Sequence, residues 1–183
     1  MEIKPLYEHS KIGNFMFNLC AKWTKFILKH KWLYYFMACT WGIIMTVLGC
    51  LITLILAIVK IFIPDKITFK SFYWIYGISI GPNLWGGCEM GLMFLRDQES
   101  TVEGIDWHEF GHTFQNCLFG PLFPFIVAIP SAIRYWLRIW FPNREWAPYD
   151  GAWFEDAATQ CGEYAVKFLN QKQEALDEKE KQY

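Results

Sequence analysis

The sequence lacks a clear excess of charge of either sign. Its 183 residues include 17 Lys and Arg against 18 Asp and Glu, so the formal net charge is −1. A nucleic-acid-binding domain of this size normally carries a basic excess. We therefore expect no nucleic-acid partner.

The sequence also lacks CxxC pairs, internal repeats and a recognisable secretory signal peptide. The first long apolar run begins near Trp32, and it is too long for the apolar core of such a signal. The six cysteines stand apart, at positions 20, 39, 50, 88, 117 and 161. This spacing predicts free, buried thiols and argues against a disulfide framework or a zinc ribbon.

Apolar and aromatic residues are abundant. Hydrophobic residues make up 54% of the chain and aromatic residues 19%. Such a chain has ample apolar surface to bury, which excludes a disordered protein. The aromatic content suits a protein that meets lipid interfaces, so we expect the lipid bilayer to be a partner.

One apolar run is long enough to cross a membrane. Residues 32–63 contain a single charged residue, Lys60, near their end. At about 1.5 Å per residue, a helix of this length would measure roughly 45 Å, more than the ~30 Å of the hydrocarbon layer. The run predicts a transmembrane helix that ends at Pro64 and Asp65. The lysines that precede it predict a cytoplasmic N-terminus.

Residues 1–31 are basic and contain apolar residues at helical spacing. These apolar residues are Phe15, Leu19, Trp23, Phe26 and Ile27. The pattern predicts an amphipathic helix that lies on an anionic membrane surface. The alternative is an ordinary surface helix packed on a soluble core.

The rest of the chain divides at glycines and prolines. Residues 67–95 are glycine-rich and predict an irregular membrane segment, or a helix followed by a short strand near 88–95. In residues 100–119 we predict a helix that starts with a capping box at Ser100 and Glu103. Three prolines in residues 121–141 predict a re-entrant or kinked segment, with Ser131 as a helix cap.

A polar linker follows, and residues 150–183 then predict a last helix with a charged tail. Together these segments predict a single domain over residues 1–183. Its fold is expected to be mainly α, an integral membrane helical protein, with one short edge strand or hairpin as a further option.

The motif that carries chemistry is His108-Glu109-Phe110-Gly111-His112, an HExxH sequence. On a helix, His108 and His112 project from one face a turn apart, so both imidazoles can bind one zinc ion. Glu109 is offset from them and can act as the general base toward a metal-bound water. The motif predicts one Zn²⁺ per chain and hydrolytic chemistry.

A catalytic zinc needs a third protein ligand. The two other histidines, His9 and His30, lie in the basic N-terminal region, so a carboxylate is expected. Glu155, near the start of the last helix, and Asp150, in an Asp-Gly pair, are the two main candidates. Asp156 and Glu163 are weaker ones.

The HEFGH motif with a later Phe-Glu-x-x-Ala helix resembles the gluzincin peptidases, a group of zincins. It is also similar to a family of small bacterial membrane proteins with HEFGHTxQ, GPL and W-F-E-x-x-A patterns. The matching stretches are His108–Pro121 and Trp153–Gly162, about a quarter of the chain. The resemblance implies that His108, His112 and Glu155 are the ligands, that Glu109 is the base, and that the protein lies in a bacterial cell membrane.

The chain departs from the gluzincin pattern at two positions. Many gluzincins carry an Asp four residues after the ligand glutamate, where it orients a histidine. This chain has Thr159, whose hydroxyl can still accept a hydrogen bond. Asp106 stands where such helices usually carry an uncharged residue. The Asp150-Gly151 pair resembles the site-2-type intramembrane peptidases, although their aspartate lies within a hydrophobic helix.

Two further roles have several candidates. An oxyanion stabiliser should be a Tyr, His or Arg near the metal, and Tyr149, Tyr164 and Arg134 all qualify. The stretch Gly87–Leu95 precedes the HExxH helix and is a candidate edge strand for binding a peptide; simple core packing is the alternative.

The sequence thus predicts an integral membrane zinc metallopeptidase that acts on a peptide or membrane-protein substrate. The alternatives are a zinc-binding, non-catalytic scaffold or immunity-like membrane protein, and a zinc hydrolase that acts on a non-peptide amide.

Overall fold

The computed structural model describes residues 2–81, 86–98 and 104–180, and within these ranges the protein is mainly helical with a small sheet. The helices are α1 (Lys11–Ile27), α2 (Lys31–Cys39), α3 (Ile43–Phe62), α4 (Ile105–Phe119), α5 (Ile129–Trp140) and α6 (Trp153–Glu180). The strands are β1 (Ile67–Phe72), β2 (Ile75–Ile80), β3 (Gly87–Met90) and β4 (Met93–Asp97). The prediction of a mainly α fold is confirmed, with more sheet than expected.

The long apolar run does not form one helix. It is divided into α2 and α3, because the chain turns between them to pack on the end of α4. The Trp41 indole donates a hydrogen bond to the Leu118 carbonyl, and Gly42 lies against the Asn116 side chain. In α2, Tyr34 and Ala38 are buried in protein. One face of the first part of the predicted span therefore packs on the core, while Trp32 and Phe36 remain exposed.

Helix α3 is the part of the run that remains long enough for a membrane. In the described part of the chain, one helix, α3, is long and apolar enough to cross a bilayer. Its inner face, with Met45, Thr46 and Gly49 buried, packs on the sheet. Its outer face exposes large aliphatic and aromatic side chains: Val47, Leu51, Leu54, Ile55, Ile58, Ile61 and Phe62.

Residues 67–95 form a four-stranded sheet of order β1-β2-β4-β3, not an irregular membrane segment. β1 and β2 pair antiparallel, β2 and β4 pair parallel, and β3 and β4 pair antiparallel. Gly91 has a φ of +73° in the turn between β3 and β4, where it lies against Thr46 of α3. Several glycines that suggested a broken helix instead occupy turns and close-packed positions of a sheet. The predicted short strand near 88–95 is in fact two strands.

Helix α1 packs on α6 through small and apolar residues. Its buried residues are Gly13, Phe17, Cys20, Ala21, Thr24 and Ile27. Phe15 and Phe26 stay exposed, whereas Ile27 is in the protein core. The packing of α1 on a core matches the alternative interpretation of this segment, and Ile27 belongs to that core, not to an outer apolar face.

The chain before α1 is fixed to the start of α6. The backbone amides of Leu6 and Tyr7 donate hydrogen bonds to the buried carboxylate of Asp156. The Nε2 atom of His9 lies 2.9 Å from the same carboxylate, and both side chains are almost fully buried. The N-terminal segment thus packs on the residue next to Glu155.

Helices α4 and α6 cross at close range because each has a glycine at the crossing. A Cβ at Gly111 would lie 2.6 Å from the backbone carbonyl carbon of Ala158, and one at Gly162 would lie 2.7 Å from that of Trp107. Ordinary Cβ contacts begin at 3.4 Å. Only glycine therefore allows the two backbones to touch, which brings the HExxH helix onto the first turns of α6.

The segment after α4 is kinked, as its prolines predict. A short turn at Gly120–Leu122 and a π-helix at Pro124–Ala128 lead into α5, with a bend of 115° relative to α4. Ser131 does not cap α5, since the helix already begins at Ile129. The predicted capping box at Ser100 and Glu103 lies outside the described residues, and α4 begins after Gly104, which has a φ of +91°.

The cysteines are free, as expected, but not all are buried. Cys20, Cys117 and Cys161 are buried, Cys88 is half-buried, and Cys39 and Cys50 are exposed on α2 and α3. Both exposed cysteines lie in the long apolar run of the sequence.

Candidate metal centre

The two histidines of α4 and the glutamate of α6 meet at one point. The Nε2 atoms of His108 and His112 lie 3.1 Å apart. The Oε2 atom of Glu155 lies 3.1 Å from the first and 3.3 Å from the second. In the described part of the chain, these three residues form a cluster that can hold a metal ion.

The three separations match the size of a tetrahedral zinc site. Ligand bonds of about 2.0–2.1 Å at the tetrahedral angle place neighbouring ligand atoms roughly 3.3–3.4 Å apart. The observed 3.1–3.3 Å is close to this spacing. Both carboxylate oxygens of Glu155 are buried without a hydrogen bond of good geometry to a described residue. A buried carboxylate in that condition favours a bound cation.

Hydrogen bonds behind the histidines fix the direction of both rings. His108 Nδ1 lies 2.8 Å from the Thr159 hydroxyl, and His112 Nδ1 lies 2.8 Å from Oε1 of Gln115. The Gln115 amide nitrogen in turn donates to the Phe154 carbonyl. Oε1 of Gln115 can only accept, so His112 Nδ1 donates to it; the Thr159 hydroxyl can accept from His108 Nδ1 in the same way, which leaves both Nε2 atoms for a metal.

The contacts of Glu155 with the two histidines keep its carboxylate charged. Burial alone would raise the pKa of the Glu155 carboxyl, but His108 and His112 hold that pKa well below its usual range. The carboxylate is therefore ionised at neutral pH, as a metal ligand must be.

Glu109 lies between the histidines and the edge of the sheet. Its carboxylate is buried and accepts a hydrogen bond from the backbone amide of Glu89 in β3. Burial raises the pKa of Glu109, and the neighbouring His108 and His112 oppose that rise. Gly87 of β3 lies against this carboxylate, and a side chain there would collide with it.

Strand β3 is an edge of the sheet and borders the site. The Asp97 amide donates to the Gly86 carbonyl. In an antiparallel ladder the hydrogen-bonded pairs alternate, so Gly87 and Glu89 direct their backbone groups away from β4. The Glu89 amide reaches Glu109 on this side, and Gly87 lines the cavity next to it.

Of the three candidates for an oxyanion stabiliser, Tyr149 is the one that borders the cluster. Its hydroxyl lies 2.9 Å from the Ser131 hydroxyl, and it lines the same cavity as the histidines. Burial and the nearby Glu155 raise the pKa of Tyr149, so its hydroxyl keeps its proton at neutral pH. Tyr164 stacks on Phe168 instead.

Arg134 holds the loop that carries Tyr149 and does not reach into the cavity. It donates hydrogen bonds to the carbonyls of Pro148 and Tyr149. Arg138 adds a hydrogen bond to the Ala147 carbonyl. Both arginines thus position the loop that presents Tyr149.

The other carboxylate candidates lie outside the cluster. Asp150 is half-buried and lines the cavity, but it is not among the three clustered ligands. Asp156 is turned away toward the N-terminal segment, and Glu163 pairs with Lys167. The unusual Asp106 forms an ion pair of 2.6 Å with Arg96, which ties α4 to β4.

Two polar residues at the site were missed by sequence reasoning. Gln115 follows His112 by three residues, so helical spacing alone places it beside that ring. Glu89 is buried in β3, where one oxygen accepts from the Gly91 amide at 2.6 Å and from Asn116 at 3.1 Å. Burial raises the pKa of Glu89 well above its usual value. No short-range signal in the sequence indicated Glu89.

Comparisons with known proteins give no match: no family model, no curated protein and no solved structure is significantly similar to this chain. The chemistry of the site is therefore inferred from its residues and their geometry.

Proposed function

We propose that the protein is a membrane-associated zinc metallopeptidase that hydrolyses peptide bonds. The observation that carries this proposal is the meeting of three ligand atoms at 3.1–3.3 Å, with a second, non-ligating carboxylate, Glu109, buried beside them. Two imidazoles and one carboxylate are a donor set typical of catalytic zinc, which keeps one position free for water.

Each residue has a separate task in this proposal. Bound at His108, His112 and Glu155, a zinc ion would supply Lewis acidity and lower the pKa of a water to about 7. Glu109 takes the proton of the attacking water and passes it to the leaving amine. The Tyr149 hydroxyl donates a hydrogen bond to the oxygen that becomes negatively charged.

The edge strand supports a peptide as the substrate. An extended chain can pair with β3 by main-chain hydrogen bonds, since Gly87 directs its backbone groups toward the cavity. The absence of a side chain at Gly87 also leaves room for the Glu109 carboxylate directly beside this strand. A non-catalytic scaffold would have no use for a buried base beside the ligands.

Association with a membrane rests on α3. A helix of 20 residues with an exposed aliphatic face is long enough to cross the ~30 Å hydrocarbon layer. We infer a cytoplasmic N-terminus from the lysines of α1 and its flanks.

The test compares Glu109→Gln with the wild type, purified in detergent. Cleavage of an unstructured peptide should fall to background in the variant, while zinc stays at about one ion per chain by elemental analysis. The matched control is Glu163→Gln, the same chemical change at a half-exposed position of α6 outside the cluster, which should leave turnover intact. Undiminished cleavage by Glu109→Gln would exclude the base role, and a wild type that binds zinc without turning over any peptide would support the scaffold alternative.

A further inference from the structure

The cavity beside the metal cluster is much larger than a metal and its water require. It has a volume of about 870 Å³, which lies in the range of pockets that enclose sizeable organic ligands. Its polar end contains the histidines and Glu109. The rest is lined mainly by apolar side chains from the π-helix and α5: Val127, Ala128, Ala132, Tyr135, Trp136 and Ile139.

Helix α5 forms one side of this cavity without closing it. It buries none of its residues, and the cavity residues Trp136 and Ile139 remain about half exposed, at 48% and 46%. The cavity is therefore open along the helix, so that a long apolar group can enter past α5 without a rearrangement of the core.

The outer side of α5 is apolar as well. Ile129, Ile133 and Trp140 are exposed there. The polar residues of the helix do not cover that side, since Arg134 and Arg138 donate hydrogen bonds to the loop at 147–149. A 12-residue helix that exposes aromatic and aliphatic residues on two sides is poorly suited to water.

Lipid is the cover that the rest of the chain favours. The outer face of α3 is an aliphatic surface of the same protein, and α5 adds tryptophans, which prefer the membrane interface. With lipid against its outer side, α5 lies between the bilayer and the cavity, and the cavity opens toward the lipid beside this helix.

We propose that the substrate is an apolar segment of a membrane-embedded peptide or protein, which enters from the lipid past α5 and binds extended between α5 and β3. This inference rests on the proposed peptidase function and names its substrate class. A peptide is favoured over an acyl chain because β3 offers backbone groups that only a polypeptide can match.

The test uses Ala132→Trp, which fills the apolar part of the cavity without touching a metal ligand. Its matched control is Ile133→Trp, the same new side chain on the neighbouring residue, which faces outward. Both are made in the Glu109→Gln background, so that binding is measured without cleavage. The probe is a labelled Leu/Ala-rich peptide of about 20 residues, long enough to span the bilayer, in phosphatidylcholine–phosphatidylglycerol vesicles, and it carries a photo-crosslinker.

We expect the peptide to crosslink to the Glu109→Gln protein, and Ala132→Trp to reduce that yield by about tenfold or more, while Ile133→Trp leaves it unchanged. An equal yield in all three proteins would overturn the proposal. So would displacement of the peptide by a saturating fatty acyl amide together with a failure of the unlabelled peptide to compete, because the cavity would then be an acyl-chain site.

A second measurement covers the case in which Ala132→Trp does not fold. A photo-reactive amino acid replaces Ile139, which lines the cavity, or Ile133, which faces outward. The peptide should crosslink from position 139 and lipid from position 133; the reverse pattern would overturn the proposal. If the peptide binds as expected but the wild type cleaves no peptide, the peptidase function fails while the binding site stands.

Discussion

Replacing Gly111 by alanine tests whether the close crossing of α4 and α6 sets the geometry of the metal site. The new Cβ would lie 2.6 Å from the carbonyl carbon of Ala158 and closer still to its oxygen, where ordinary contact begins at 3.4 Å, so the helices must separate by more than about 0.8 Å. Ala158 lies between Glu155 and Thr159 on α6, and the shift therefore moves a ligand and the hydrogen-bond partner of another.

The substitution should weaken zinc binding as well as affect stability. Metal sites tolerate errors of about 0.2 Å in ligand distance, so a shift of this size should weaken zinc binding by at least about tenfold. Crowding costs about 1–3 kcal/mol, but alanine is a better helix former than glycine by about 1 kcal/mol. The free energy of unfolding of the metal-free protein should thus fall by only about 0–2 kcal/mol.

The assay is a chelator competition that measures the zinc dissociation constant, together with thermal unfolding of the metal-free protein in detergent. Gly151→Ala is the matched control, because a Cβ there would meet only Pro148, at 3.9 Å or more. The control should bind zinc like the wild type. If Gly111→Ala bound zinc with wild-type affinity, the helix crossing would not be what positions Glu155.

Two further changes test other parts of the site. Tyr149→Phe removes the hydroxyl proposed to stabilise the oxyanion, so kcat should fall by about 100-fold or more while KM and zinc content change little; a large loss of zinc instead would assign Tyr149 to ligand positioning. Glu89→Gln removes a buried carboxyl whose pKa is raised. Such a group keeps its proton in the folded state after the unfolded chain has lost it near pH 4.3, so it costs stability as pH rises. The Tm of Glu89→Gln relative to the wild type should therefore increase between pH 4 and pH 7, and a Tm difference that is constant or shrinks over this range would contradict the burial of Glu89.

The local part of the candidate site could be predicted from the sequence, because it depends on helical spacing. His108 and His112 lie one turn apart on any helix, and Thr159 follows Glu155 by four residues. That Glu155 is the residue near them came from a resemblance, and the structure places it there. Glu89 could not be found this way, since its partner Asn116 is 27 residues distant and its burial depends on the sheet.

The fold was predicted best in segments that form single helices and worst in segments whose structure depends on contacts with other parts of the chain, such as strand pairing. Residues 67–95 form short strands whose glycines occupy turns and close contacts, and these are hard to distinguish from an interrupted helix in sequence. The division of the apolar run between α2 and α3 depends on a contact of Trp41 with Leu118. The hydropathy of the run cannot reveal such a long-range contact.

The hydrogen bonds between the N-terminal segment and Asp156 join residues 147 to 150 positions apart, next to Glu155. During synthesis on the ribosome, the two histidines emerge well before Glu155, and the segment around His9 has no docking site until α6 follows. The nascent chain therefore cannot complete the three-residue cluster before most of it has been translated.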